Sequence, residues 1–172
     1  MALEDFIIKM LIYLGPMYFA NSSAMFFGGK TPLDFGKKFS DGRRIFGKGK
    51  TFKGSFFGIA FGTLIGVLIF LVAPAYTLML SKEYILLVLF ITSGAIVGDI
   101  VASFFKRRHE IDSGEEVLFL DQLDFVIGGM LFGSILYVPD FYEVVFICVT
   151  TLIVHKVSNY VAYKIKLKKV PW

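Results

Sequence analysis

Three aspartates and the cations near them are the residues of this sequence best placed to do chemistry. Asp99 lies inside one long apolar run, Asp121 and Asp124 open the next, and Lys106, Arg107 and Arg108 stand between. The stretch from Gly98 to Phe125 holds seven of the fourteen acidic residues. Carboxylates within apolar runs are costly and mark functional cavities in membranes. At 1.5 Å per residue, Asp99 stands about 9 Å inside the end of its helix, and Asp124 is as far inside the start of the next. Two consecutive antiparallel helices would bring these groups to one depth, with Asp99, Ser103 and Lys106 on one face and Asp121 with Asp124 on another. Three acids at one level repel unless a cation holds them. A hard ion such as Mg²⁺ is held by one or two carboxylates plus substrate phosphates, so the pattern predicts a magnesium site with Asp99, Asp121 and Asp124 as metal ligands and catalytic residues. Simpler readings stay open. Asp121 and Asp124 favour the positive start of a helix, and Asp99 could form a salt bridge with Arg107 or a loop lysine.

A second group of candidates precedes them. Residues 25–53 carry Lys30, Lys37, Lys38, Arg43, Arg44, Lys48, Lys50 and Lys53 against only Asp34 and Asp41. From Asp41 to Gly54 the cations alternate with glycines, which free the backbone to wrap an anion. Arg43, Arg44, Lys50 and Lys53 are therefore expected to bind phosphate, whereas Lys37, Lys38 and Lys48 suit anionic lipid headgroups as well. Gly42 to Gly49 approaches a P-loop, but Gly49 stands where Ser or Thr should bind magnesium and no strand precedes it, which excludes a Walker fold. Asn21, beside Ser22 and Ser23, offers a polar pocket at the entrance of the loop. His109 and His155 are too few and too far apart to form a ligand set, and both read as interfacial residues.

The elements that must position these groups are membrane helices. The chain has 172 residues, 56% of them hydrophobic, and twenty Phe, with a mean hydropathy of +0.70. That share is well above a soluble domain's. The sequence predicts an all-α fold, a polytopic integral membrane helical bundle forming one domain over residues 1–172. Its five transmembrane helices fall at about 6–24, 54–80, 84–105, 118–137 and 144–163. The first is read as a retained span, since Asn21-Ser22-Ser23 is not a cleavage pattern. Pro74 is expected to kink or stop the second. Gly54, Gly58, Gly62 and Gly66 line one face of it, and Gly129 and Gly133 repeat the spacing in the fourth, as close helix packing requires. Glycine faces left spare would also allow a homodimer. Cys148 is the sole cysteine, so no disulfide forms within the chain. Loops rich in Lys and Arg stay in the cytoplasm. An outside N-terminus and a cytoplasmic C-terminus put the loops at about 25–53 and 106–117, and the tail with Lys164, Lys166, Lys168 and Lys169, on the cytoplasmic side.

Taken together, these motifs resemble the CTP-dependent cytidylyltransferases of phospholipid synthesis, most closely the archaeal CDP-archaeol synthases. The similar segments are Asn21, Pro32-Leu-Asp34-Phe-Gly36, Asp41-Gly-Arg-Arg-Ile-Phe-Gly47, Lys50-Thr-Phe-Lys-Gly54, Gly98-Asp99 with Ser103-Phe-Phe-Lys106-Arg107, and Asp121-Gln-Leu-Asp124-Phe. Compared with the bacterial phosphatidate cytidylyltransferases, Gln122 replaces an Arg and Glu115-Glu116-Val-Leu-Phe replaces a His-Gly-Gly stretch. The resemblance implies transfer of CMP from CTP to an isoprenoid ether lipid phosphate at the cell membrane, with Mg²⁺ as cofactor and no nucleic acid. It also implies substrate contacts from Asn21, Asp34, Asp41, Arg43, Arg44, Lys50, Thr51, Lys53, Ser103, Lys106 and Arg107. Two rivals share parts of this pattern. A CTP-dependent lipid-alcohol kinase would use the same nucleotide site, and a small lipid-phosphate or ion transporter would also keep charges inside a bundle.

Overall fold

Hydrophobic length dictates the helices, and glycine dictates how closely they meet. A computed structural model describes residues 2–112, 115 and 117–166; Glu116, Lys168 and Lys169, counted above among the loop and tail charges, lie outside the described residues. The order is α1 (Leu3–Phe26), α2 (Phe52–Val72), α3 (Pro74–Leu78), α4 (Tyr84–Arg108), α5 (Leu120–Gly133) and α6 (Phe141–Lys164). Thr51 caps α2 by accepting the Gly54 N–H, and Asp140 with Glu143 forms a capping box that starts α6, each satisfying amides that a helix start leaves free. Lys106, Arg107 and Arg108 end α4, where cations complement the helix dipole. Pro74 stops the second apolar run. Ala73 leaves the helix and Pro74 opens the short α3, because proline supplies no N–H to continue the ladder.

Among the described residues, three helices are long and apolar enough to cross a membrane: α2, α4 and residues 141–161 of α6. The fourth expected span is shorter than its apolar run. α5 has 14 residues, about 21 Å at 1.5 Å each, against the roughly 30 Å of a hydrocarbon core. Its end is set by a turn, since the Gly133 carbonyl accepts the N–H groups of both Leu136 and Tyr137.

The glycine faces are buried inside the chain. Antiparallel to α1, α2 sets Gly54, Gly58 and Gly62 in step against the carbonyls of Ala24, Ala20 and Pro16, where an added Cβ would lie 2.6, 2.8 and 2.7 Å from the oxygens. Gly66 meets Val88 of α4, Gly129 meets Met17 of α1, and Gly133 meets Ile91 of α4 and Tyr13 of α1. No spare glycine face remains on α2 or α5 to argue for the homodimer. The tightest approach is between α4 and α5. A Cβ on Gly98 would fall on the Asp124 carbonyl oxygen, one on Gly94 would fall on the Gly128 carbonyl oxygen, and one on Gly128 would lie 2.7 Å from the Gly98 Cα. Met10, Tyr13 and Met17 of α1, Leu87, Val88 and Ile91 of α4 and Phe125 and Val126 of α5 fill the core. Leu64, Leu68 and Leu71 of α2 and Val149 and Ile153 of α6 are exposed, an apolar outer face suited to lipid.

Because the α4–α5 contact is backbone on backbone, Gly98→Val cannot be absorbed by a side-chain rotation. It should destabilise the protein by about 3 kcal/mol, read as thermal unfolding in detergent micelles. Gly49→Ala, with no atom within 4 Å of the added Cβ, should change stability by less than about 0.5 kcal/mol.

Candidate active site

The hairpin of α4 and α5 brings the acids to one end of the bundle. Gly98 sits against the Asp124 carbonyl, which sets Asp99, the next residue of α4, at the depth of Asp124. Asp124 lies within electrostatic reach of Asp99, Lys50 and Asp121. The repulsion expected among three carboxylates is relieved by lysines. Lys50 donates to Asp99 Oδ1 at 2.5 Å, so the loop-lysine salt bridge is the one formed. Lys106, 7% exposed, donates to Asp121 Oδ2 at 2.6 Å and to the Glu115 carbonyl. Val117 N–H joins the same Asp121 oxygen at 2.9 Å, and Asp124 Oδ1 takes the Phe125 N–H at 2.6 Å. Ser103, one turn before Lys106, is buried. Partly buried pairs of this kind keep ionised groups where a lone charge would be prohibitive.

Whether these residues suit a magnesium ion is a question of donors. Among the described residues no three His, Cys, Asp or Glu side chains form a ready metal cage. The described hydrogen bonds of Asp99, Asp121 and Asp124 all fall on one oxygen of each carboxylate. Each side chain thus keeps a hard oxygen clear of them. One or two such oxygens completed by phosphate oxygens fit Mg²⁺, which rarely uses an all-protein cage.

The basic loop folds around its own acid. Leu33 N–H bonds the Lys50 carbonyl at 2.8 Å and Phe39 N–H the Arg43 carbonyl at 2.7 Å, closing the loop at two levels. At its centre the Asp34 carboxylate is fully buried. It accepts the N–H groups of Gly36 at 3.0 Å and of Phe46 and Gly47 at 3.1 Å, and both oxygens meet the Arg44 guanidinium. Gly36 and Gly47 adopt φ of +82° and +96°, the left-handed region that favours glycine. Of the glycines in the Asp41–Gly54 segment, Gly47 donates to an anion within the chain, Asp34, together with Gly36 from outside that segment. Burial alone would raise the Asp34 pKa. Arg44 and the three N–H groups outweigh it and hold the carboxyl well below the usual carboxylate range.

Several expected substrate contacts are thereby engaged within the chain. Asp34 and Arg44 form the centre of the loop, and Thr51 Oγ1 accepts the N–H groups of Gly29 and Gly54. Asp41 accepts the Arg43 N–H at 3.0 Å and pairs with Arg108 at 3.1 Å. Arg43 pairs with Glu110 at 2.6 Å. Asn21 is half-buried near the end of α1, and Lys53 is exposed in the first turn of α2. Arg107 keeps a buried Nε without a hydrogen-bond partner among the described residues. Two features escaped the sequence reading. Arg108 lies over the ring of Phe104, one turn before it on α4, and over that of Phe39, the latter too distant in the chain to show as spacing. At the opposite end of the bundle, Lys9 bonds Glu143 at 2.7 Å and Tyr137 bonds it at 2.5 Å.

Known proteins share this architecture and sequence. The CarS-like CDP-archaeol synthase family model matches residues 3–172. The chain belongs to the CDP-archaeol synthase family. It is 45% identical over 170 residues to the CDP-archaeol synthase of Methanocaldococcus jannaschii, covering 94% of this chain and 95% of that one. It is 44% identical over 160 residues to that of Pyrococcus abyssi, covering 93% and 95%. A solved intramembrane enzyme for archaeal membrane lipids biosynthesis superposes with a TM-score of 0.81 at 32% identity, over 89% of this chain and 94% of that one. The resemblance seen in the motifs therefore extends to the whole family model, and the chain is a membrane protein of that family.

The Asp34 centre gives a pH dependence. A depressed folded-state pKa means that its stabilisation is fully present above the unfolded carboxylate pKa of about 3.9 and is lost as pH falls through the folded value. Amide exchange of residues 33–47, corrected for intrinsic rate, should stay protected from neutral pH to about pH 4 and weaken progressively below it. Asp34→Asn should speed that exchange at neutral pH on the order of a hundredfold, about 3 kcal/mol, by stranding Arg44 and weakening three backbone bonds.

Proposed function

We propose that this chain makes CDP-archaeol by moving CMP from CTP to an isoprenoid glycerol ether lipid phosphate at the lysine-flanked aspartates of the α4–α5 hairpin. The observation that carries the reading is the pairing of Lys50 with Asp99 and of Lys106 with Asp121 around Asp124, at the end of the bundle that bears the basic loop. Membership of the CDP-archaeol synthase family supports the reaction itself, a transferase step with CTP and a membrane lipid as substrates. The assignment of roles to residues is our own.

In this mechanism an oxygen of the lipid phosphate forms a bond to the α-phosphorus of CTP, the bond between the α-phosphorus and the bridging oxygen breaks, and pyrophosphate leaves. The nucleophile is an anion at neutral pH, because a phosphate monoester has its second pKa near 6. No strong general base is required, which suits a hairpin in which Asp99 and Asp121 are already paired with lysines. Lys50 and Lys106 move from carboxylate to phosphate oxygens, and Arg107, with its buried unpartnered Nε, binds a further phosphate. Ser103, Asn21, Lys53 and Arg43 border the substrates, whereas Asp34, Arg44, Asp41 and Thr51 act by holding the loop. Asp99 and Asp124, with Asp121 behind them, would hold Mg²⁺. When bound, the ion would supply charge stabilisation at the attacking and leaving oxygens.

The proposed topology has five crossings with the N-terminus outside and this site on the cytoplasmic side. α1, with 24 residues, is about 36 Å long. α5 reaches across only with the turn that follows it. The basic loop and the last turn of α4 lie at one end of the bundle, joined by the bond from Arg108 to the Arg44 carbonyl at 2.6 Å. That clustering of cations supports a cytoplasmic end, where CTP is available.

The test is transfer of label. With purified protein in micelles, α-³²P from CTP should enter a chloroform-soluble product with release of one pyrophosphate, and γ-³²P should not. Label entering lipid from the γ position would instead make the protein a kinase. Asp99→Asn and Asp124→Asn should each lower kcat by about 100-fold or more while eluting as the parent does. Activity near the parent's in either would remove that residue from the metal site.

A further inference from the structure

The basic loop is fixed to α4 at two points, and the proposed chemistry uses only one of them. Lys50 reaches Asp99 at 2.5 Å. Nine residues on, roughly 13 Å along the helix, the Arg108 guanidinium lies against a pair of rings, with its carbon 4.8 Å from the Phe39 centroid and 4.9 Å from that of Phe104. The rings themselves meet edge to face at 5.5 Å. Arg108 also donates to the Arg44 carbonyl at 2.6 Å and pairs with Asp41 at 3.1 Å. Arg44 is the residue that clasps the Asp34 centre. A continuous set of contacts therefore runs from the last turn of α4 through Arg108 to the centre of the loop.

We propose that Arg108 is a positioning residue that keeps the basic loop seated on the acid hairpin while Lys50 exchanges Asp99 for a phosphate of the nucleotide. In the free protein both attachments hold the loop. With Lys50 turned to phosphate, the seat on α4 depends on Arg108. Its partners are a carbonyl, a surface carboxylate and two rings, none of which the substrates need. An arginine suits the position because a guanidinium, broad and weakly hydrated, can lie against aromatic rings while it donates to a carbonyl and pairs with a carboxylate, which a compact, strongly hydrated ammonium does less well. The change of partner by Lys50 rests on the proposed function. The two attachments rest on geometry alone.

The experiment is a double-mutant comparison on the full-length protein in micelles, read first by tryptic cleavage after the exposed Lys37 and Lys38. Arg108→Met and Asp99→Asn should each speed cleavage less than about threefold, and the double variant more than about tenfold, because either attachment alone suffices. A double variant no faster than the faster single, or Arg108→Met alone as fast as the double, would overturn the proposal. Kinetics supply the second readout. Arg108→Met should raise KM for CTP about tenfold with kcat within twofold at saturating CTP, and Arg108→Lys should stay within about threefold of Arg108→Met in KM. A fall in kcat at unchanged KM, or full recovery by lysine, would refute the role. If Arg108→Met does not fold, Phe39→Ala removes one ring without touching a charge and should raise KM about threefold at unchanged kcat; no change in KM would count against the stack. A parent that forms no labelled lipid would defeat the proposed function, while the cleavage comparison would still decide the attachments.

Discussion

The backbones of α4 and α5 meet where Gly98 faces the Asp124 carbonyl and Gly94 faces that of Gly128, and most of the site follows from that contact. Side chains at these positions would hold the helices apart and move Asp124 away from Asp99. With hydrogens there, the helices close to backbone distance, as small residues permit in membranes. The contact gains dispersion and excludes lipid, but it also places like charges near one another. The second half of the design is therefore electrostatic. At an effective dielectric of about 20, two charges 4 Å apart interact by about 4 kcal/mol, so an uncompensated pair of acids would oppose the glycine contact with energy comparable to what the contact supplies.

Lys50 and Lys106 resolve that opposition from two directions. Lys106 belongs to the hairpin and reaches Asp121 across its turn, so its help is local. Lys50 arrives from a loop that must already be folded to present it, and that loop is built on Asp34, whose carboxylate collects three backbone N–H groups and Arg44. An acid buried without those partners would be costly. With them it acts as a fixed centre that sets the position of residue 50. The fold of a surface loop thus becomes part of the charge balance inside the bundle.

The hairpin could be read from sequence because apolar length and glycine spacing are local signals, and Gly98-Asp99 and Asp124 lie beside both. The end of α5 could not. The apolar run continues through Ile135, Leu136 and Val138, and the stop at Gly133 comes from a turn that hydrophobicity does not encode. The loop was legible in charge but not in role. Asp34 was expected as a substrate contact only through the family resemblance, and its partners at Gly36, Arg44, Phe46 and Gly47 assemble only when two glycines take positive φ. Which lysine would meet which acid is a tertiary fact, as is the place of Arg108 against Phe39, which α2, α3 and α4 separate from it in the chain. The spare glycine faces that suggested a dimer proved to be the packing surfaces of the monomer itself.

Charge also explains why the proposed chemistry calls for a divalent ion rather than more lysines. Lys50 pairs with Asp99 and Lys106 with Asp121, so the protein groups at the hairpin are close to neutral. A nucleoside triphosphate and a lipid phosphate together bring roughly five or six negative charges. Arg43 and Lys53 offset only part of that, and Arg44 is committed to Asp34. Additional fixed cations would have repelled one another in the free protein and would have bound the acids permanently, as buried pairs do. A divalent ion held by Asp99 and Asp124 would supply that charge without further fixed cations, and Lys50 and Lys106 would then be available to phosphate. On this reading the aspartates and lysines form a neutral resting arrangement whose parts separate when the substrates enter, which is why the acids can lie so deep in an apolar bundle before there is anything to bind.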